Sequence, residues 1–218
     1  MSTAIVTGAA RGIGKAVADR LSADHDVLRV DLAPGEDIFV ADVTDPEARA
    51  RIVEAAGEVD VLVNNAGITR DARIVKMTEE QFLSVITVNL GAAYELTRAV
   101  SFADGASVVS LASRAYLGNF GQFNYSASKG GLVGMTRALA LELAPRVRVN
   151  AIAPSLTASE MTAAMPEKVL EKMIASIPLG RQAVTEEIAE SIAALASPAM
   201  AYVTGQVLVA CGGRSLAP

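Results

Sequence analysis

Thr7-Gly8-Ala9-Ala10-Arg11-Gly12-Ile13-Gly14 follows a β-rich run, Thr3–Thr7. It opens a segment, residues 12–23, in which Ile13, Val17 and Leu21 recur on one helical face. A glycine-rich turn between a strand and a helix lets the backbone come close to an anionic group. The helix start then offers unpaired N–H groups and a positive dipole end. The spacing is G-x-x-x-G-x-G, and its position between strand and helix carries the reading. Beyond it, strand-like runs at 26–31, 59–64, 107–112, 147–153 and 206–210, with a shorter one at 37–40, alternate with helix-like segments at 45–56, 79–102, 125–144 and 186–196. Such alternation predicts an α/β, doubly wound parallel sheet with helices on both faces. In that architecture ligands bind beyond the carboxyl ends of the strands, so informative residues should lie just after them.

The 218 residues suit a single domain, 1–218, and the 51% hydrophobic content is enough to fill its core. Aromatics contribute only 4%, with no Trp, so Ala, Val, Leu, Ile and Gly carry the interior, as in a parallel sheet covered on both sides. The net charge of −5 and the absence of a Lys/Arg-rich run argue against a nucleic-acid or anionic-membrane partner. No apolar stretch reaches the ~18 residues of a membrane span, and the N-terminus reads as the opening strand rather than a signal peptide. Cys211 is the single cysteine, which fits a reducing cytoplasm. His25 stands alone between two aspartates and reads as a polar surface residue; no metal site is expected.

Several residues after strands fit a dinucleotide. Gly8, Arg11, Gly12, Ile13 and Gly14 form the phosphate loop. Asp31 closes the second strand, where a carboxylate can accept hydrogen bonds from ribose hydroxyls and repel a 2′-phosphate, favouring NAD over NADP. Arg11 and Arg29 are the nearby cations that keep NADP open. Asp42 can meet an adenine amino group while Val43 packs on the ring; a helix-cap aspartate is the plain alternative. Asn65, Ala66 and Gly67 end a strand with small residues that permit close approach.

Tyr125 and Lys129 stand four apart at a helix start and so share a face. An ammonium near the phenol favours tyrosinate, which suits proton exchange with a substrate oxygen. Ser113 follows a strand, where its hydroxyl can bond the reacting oxygen. Ser110, inside the strand, is the alternative. Asn89 lies within the long helix, where a local distortion would let its backbone carbonyl hold a water beside Lys129.

Taken together, TGAARGIG (7–14), Asp42-Val43, NNAG (64–67), Asn89, Ser113, YSASK (125–129), VRVNAIAP (147–154) and YVTGQVL (202–208) resemble, in order and over nearly the whole chain, the short-chain dehydrogenase/reductase family. The resemblance implies a nicotinamide-dependent oxidoreductase interconverting a secondary alcohol and a ketone. Tyr125 would be its acid/base, Lys129 its ribose binder and pKa modifier, Ser113 the oxygen stabiliser and Asn89 a proton-relay residue. It also implies a homotetramer, with a homodimer as the alternative, and cofactor contacts from Pro154 and Ser159. The stretch NNAGITRD (64–71) is most similar to 3-oxoacyl-[acyl-carrier-protein] reductases. Related cyclic diol or steroid-type dehydrogenases share such stretches, and a catalytically reduced regulatory protein on the same fold is the alternative of another class.

There are departures. Ser113 and Tyr125 are separated by 11 residues where 12 is usual. The family's Pro-Gly is Pro154-Ser155, and its Asp-Gly-Gly is Cys211-Gly212-Gly213. Residues 155–180, with Met161, Met165 and Met173, read as a substrate lid. Tyr116, Leu117, Phe120 and Phe123 suggest an apolar substrate wall, and no charged clamp for a carboxylate or coenzyme A is evident.

Overall fold

The protein is described as a computed structural model covering residues 2–158, 162 and 165–216. Seven strands form one parallel sheet in the order β3-β2-β1-β4-β5-β6-β7. They are β1 Thr3–Thr7, β2 Asp26–Asp31, β3 Ile38–Val40, β4 Glu58–Asn64, β5 Ser101–Leu111, β6 Val147–Ile152 and β7 Val207–Leu208. The helices around them are α1 Gly12–Leu21, α2 Pro46–Ala56, α3 Glu79–Ile86, α4 Ala92–Ala99, α5 Phe123–Glu142, α6 Glu167–Ala175 and α7 Thr185–Ala196. The doubly wound parallel architecture expected from the sequence is the one observed.

Successive strand residues face opposite layers, and both layers are apolar. Ile5, Leu62, Val108 and Val149 pack with Ile52 of α2 and Leu96 of α4. Val6, Val63 and Val109 pack with Val17 of α1 and Ile188 and Ile192 of α7. The Val- and Ile-rich central strands follow from this two-sided burial. The order in which strands are added reverses between β1 and β4, which run parallel and pair through Ala4↔Val61, Ile5↔Leu62 and Val6↔Val63. The crevice at their carboxyl ends lies between the Gly8 loop and Asn64–Gly67, where such folds hold a dinucleotide.

The helix expected over 79–102 is not one element. α3 runs into a π-helical turn, Thr87–Gly91, and α4 stops at Ala99, with Val100 extended as its cap. Residues 101–102 belong to β5, pairing as Glu58↔Ser101 and Val59↔Phe102. Phe102 is buried in the core there, so sheet pairing and side-chain burial override a helical pattern that the apolar residues alone permit. β5 therefore begins six residues before the expected 107, with a register shift opposite Val59/Val61.

Candidate active site

The first turn of α1 is built to receive an anion. Its N-cap, Arg11, makes no side-chain cap hydrogen bond, and no acidic residue lies in that turn. Three other helices are capped from within: Asp45 accepts from Glu47 N on α2, Thr78 and Gln81 cap α3, and Glu187 accepts from Val184 N on α7. Gly12 has φ +57° and open space where a Cβ would be, so its glycine keeps the mouth of the loop clear. Gly14 is needed for another reason: a Cβ there would lie 1.9 Å from the Gly8 carbonyl oxygen. Gly14 is thus required by packing of the loop on itself and Gly8 by its close approach to Asn65 and Ala66, while Gly12 faces open space. Ile13 is half-buried against the core of that layer.

Around the loop, Asp31 at the end of β2 accepts from Ala10 N at 2.9 Å and from Ala33 N at 2.9 Å, fixing its carboxylate beside the turn. Asp42 is exposed and accepts from the Thr44 backbone and hydroxyl, while Val43 is buried in the core. Asn65 Nδ2 donates to Thr7 O and Gly8 O, and the Thr7 hydroxyl accepts from Asn65 N and Ala66 N. These bonds lock the β1 and β4 ends together. Thr7 carries this lock, although its reading from sequence is only that of a strand end. Pro154 is buried at the end of β6, and its carbonyl accepts from Arg114 N at 2.8 Å. Ser159 and Met161 lie outside the described residues.

The proton-handling residues converge at the carboxyl end of β5. Tyr125 is half-buried, with the Ser113 hydroxyl near enough to its phenol to lower the phenol's pKa. The spacing between them, one residue short of the usual, is closed by a 3₁₀ turn, Arg114–Leu117, and by Gly118 and Gly121 at φ +103° and +78°. Lys129 is only 2% exposed; its Nζ donates to Leu111 O at 2.6 Å and sits 5.6 Å from the centre of the Tyr125 ring. Gly67 lies opposite: a Cβ there would crowd Asn89 Oδ1 at 3.2 Å and reach that Nζ at an ordinary contact distance of 3.6 Å.

Burial governs both titrating groups. It raises the Tyr125 phenol, with the Asp71 carboxylate adding to the effect and the Ser113 hydroxyl opposing it. It draws the Lys129 ammonium down to about 8. The lowering of Tyr125 by Lys129 that the sequence suggests is therefore not the state of the protein alone, because desolvation of the phenolate dominates.

Asn89 lies in the π turn, which supplies the helix distortion expected at that position. Its side chain is engaged on all sides: Nδ2 donates to Ile68 O and Ser128 Oγ, and Oδ1 accepts from Ile68 N. Ser128 in turn donates to Tyr125 O. Asn124, fully buried, accepts from Tyr125 N and donates to Arg70 O and Gln81 O, anchoring the start of α5. Asn124 and Ser128 position Tyr125; their signal in the sequence is no more than a polar residue beside or within the tyrosine motif. Ser110 is fully buried, and its hydroxyl has no hydrogen-bond partner.

Residues 8–215 match the family described as Enoyl-(Acyl carrier protein) reductase. The chain is 42% identical to the 3-oxoacyl-[acyl-carrier-protein] reductase FabG of Thermotoga maritima, covering 96% of each chain. The chain belongs to the short-chain dehydrogenase/reductase family. It is also 36% identical to the FabG of Escherichia coli K12, with 96% of each chain covered. It is 39% identical to the acetoacetyl-CoA reductase of Rhizobium meliloti, with 98% of each covered. A crystal structure titled short-chain dehydrogenase/reductase SDR:glucose/ribitol dehydrogenase, from Brucella melitensis, superimposes with TM-score 0.90 at 32% identity, covering 98% of this chain and 96% of that one. Among the described residues there is no metal-binding cluster and no helix long and apolar enough to cross a membrane.

Proposed function

We propose that this short-chain dehydrogenase/reductase is a reductase of 3-oxoacyl thioesters, interconverting a ketone and a secondary alcohol with NAD(H). The observation that carries the chemistry is the buried Lys129 ammonium 5.6 Å from the centre of the Tyr125 ring, with Ser113 beside the phenol. The substrate class is supported by the relatives named above. The Gly8 loop and Gly67 would hold a nicotinamide cofactor, which when bound would supply the hydride for the carbonyl carbon. Tyr125 Oη, held protonated by its burial, donates the proton to the substrate oxygen. The Ser113 hydroxyl bonds that oxygen, and Lys129 stabilises the phenolate left behind and holds a ribose. Asn89 carries the relay that returns a proton towards Lys129.

Gly8, Arg11, Gly12, Ile13, Gly14, Asp42, Val43, Asn65, Ala66, Pro154 and Ser159 complete the cofactor contacts. Asp31 sets the preference for NAD over NADP, since a 2′-phosphate would meet its carboxylate. Initial rates with acetoacetyl-CoA should show a higher kcat/KM for NADH than for NADPH; the reverse order would remove Asp31 from this role. Tyr125→Phe removes the proton donor but little of the cofactor surface. Its kcat should fall by at least about a thousandfold while NADH binding, followed by fluorescence, stays near wild type. Turnover retained in that variant would refute the assignment. We place the enzyme in the cytoplasm, with residues 155–180 acting as its substrate lid.

A further inference from the structure

Two arginines far apart in the sequence flank one turn beside this site. Arg114 follows Ser113 directly, and its backbone N–H is bound to Pro154 O. Arg214 lies beyond β7, and its Nη1 approaches Ser155 Oγ at 3.5 Å. Ser155 N is held by Ala210 O at 3.1 Å, so the two arginines flank one turn, Pro154–Ser155, at the carboxyl edge of the sheet. Both are half-buried, and Arg114 Nε is buried without a hydrogen-bond partner. Among the described residues neither forms an ion pair, whereas Arg20, Arg29, Arg146 and Arg181 each meet a carboxylate. Arg148, also partly buried, gives its N–H groups to the carbonyls of Leu195, Ala196, Ser197 and Val203. Two half-buried guanidinium groups without a carboxylate partner among the described residues, one with a buried unpartnered Nε, make a local positive site that favours an anion. Burial and the charge of Arg114 both pull the Arg214 guanidinium below its usual value, as expected of close like charges.

We propose that Arg114 and Arg214 form an anion-accepting subsite next to the reacting centre, one that takes a carboxylate or phosphate group of the substrate. Guanidinium forks match both groups through paired charge-assisted hydrogen bonds. The position of the subsite relative to the chemistry rests on Ser113 and Tyr125 being the reacting centre. Among the described residues, an anion-capable group beside the pair is Cys211, which is buried; Arg114 and the N–H groups of Gly213 and Ser215 favour its thiolate against the effect of burial.

The test combines binding and turnover. Calorimetric titration of acetoacetate and of inorganic phosphate into wild-type protein with NADH should detect binding of at least one, lost in both Arg114→Gln and Arg214→Gln. In turnover, acetoacetate against ethyl acetoacetate isolates a carboxylate, and acetoacetyl-CoA against acetoacetyl-N-acetylcysteamine isolates phosphates. In each variant the kcat/KM ratio of the anionic to the neutral member of one pair should fall by about ten- to a hundredfold, and the pair that responds identifies the group. Equal losses for both members would make the arginines structural and overturn the proposal. A wild type that binds neither probe, while Cys211→Ala does, would make the thiol their counter-ion and also overturn it. Probe binding that needs both arginines, in a protein that turns over no ketone, would uphold the subsite and refute the reductase reading instead.

Discussion

Lys129 shows how one residue trades stability for function. It is 2% exposed, and burial lowers its pKa from 10.5 to about 8. Because the folded value lies below the unfolded one, the protonated form costs stability. That cost is fully present below pH 8 and fades as pH rises from about 8 to 10.5. Its size is about 3 kcal/mol at 1.36 kcal/mol per unit, partly offset by the bond to Leu111 O. Lys129→Met should therefore stabilise the unliganded protein in urea titrations at pH 7 while abolishing turnover, and the gain should shrink towards pH 10. A variant less stable than wild type at pH 7 would show that the Leu111 bond outweighs the desolvation. The spacing of Tyr125 and Lys129 is legible in the sequence because helical periodicity alone puts them on one face. The burial of Lys129 is not, because its partner Leu111 O reaches it only through the sheet. The same holds for Arg114 and Arg214, which share the Pro154–Ser155 turn only through the β6 and β7 ends.

At the scale of elements, the π turn Thr87–Gly91 is the feature that joins the helices to the site. It brings Asn89, 1% exposed, between the loop after β4 and the start of α5, bonded to Ile68 and Ser128. Asn89→Ala would leave Ile68 N–H, Ile68 C=O and the Ser128 hydroxyl without these partners. At about 1 kcal/mol or more for each, the unfolding free energy should drop by roughly 2–4 kcal/mol. If Asn89 also carries the relay, kcat should fall further than the loss of folded protein explains. Measuring kcat on the fraction still folded, set by urea titration, separates the two; an unchanged value would leave Asn89 a positioning residue only. An asparagine followed by a nearby glycine hints at a break in the helix, and the sequence supports that much. Where α4 ends is hidden, because Leu96, Ala99 and Val100 fit a helical stripe while Val100 and Phe102 fit a strand. Only the pairing of Ser101 and Phe102 with Glu58 and Val59 decides it.

For the whole molecule, α5 raises the question of assembly. One side of it, including Leu132, Val133, Thr136 and Ala140, is buried on the sheet. The opposite side exposes Ala127, Gly134, Ala138 and Leu141, with Leu141 83% exposed. Positions 127, 134, 138 and 141 fall along one helical face, and small residues there let a second backbone approach closely. We propose that this face is covered by the same face of a second copy, in an isologous contact that a homotetramer would repeat about a second axis. A stable contact of this kind needs roughly 1,000 Å² or more, so neighbouring exposed residues such as Tyr94 of α4 would join it. Gly134→Arg provides the test. A Cβ at Gly134 meets nothing within 4 Å of its own chain, and replacing a mid-helix glycine favours the helix by about 0.5–1 kcal/mol. The single chain should thus still fold, while a long cation in the contact would separate the copies. Light scattering coupled to gel filtration should give four chains for wild type and two or one for the variant, with an unchanged circular-dichroism spectrum. A wild type that elutes as one chain of 22.5 kDa would exclude the assembly. A variant that remains four chains would move the contact to another face.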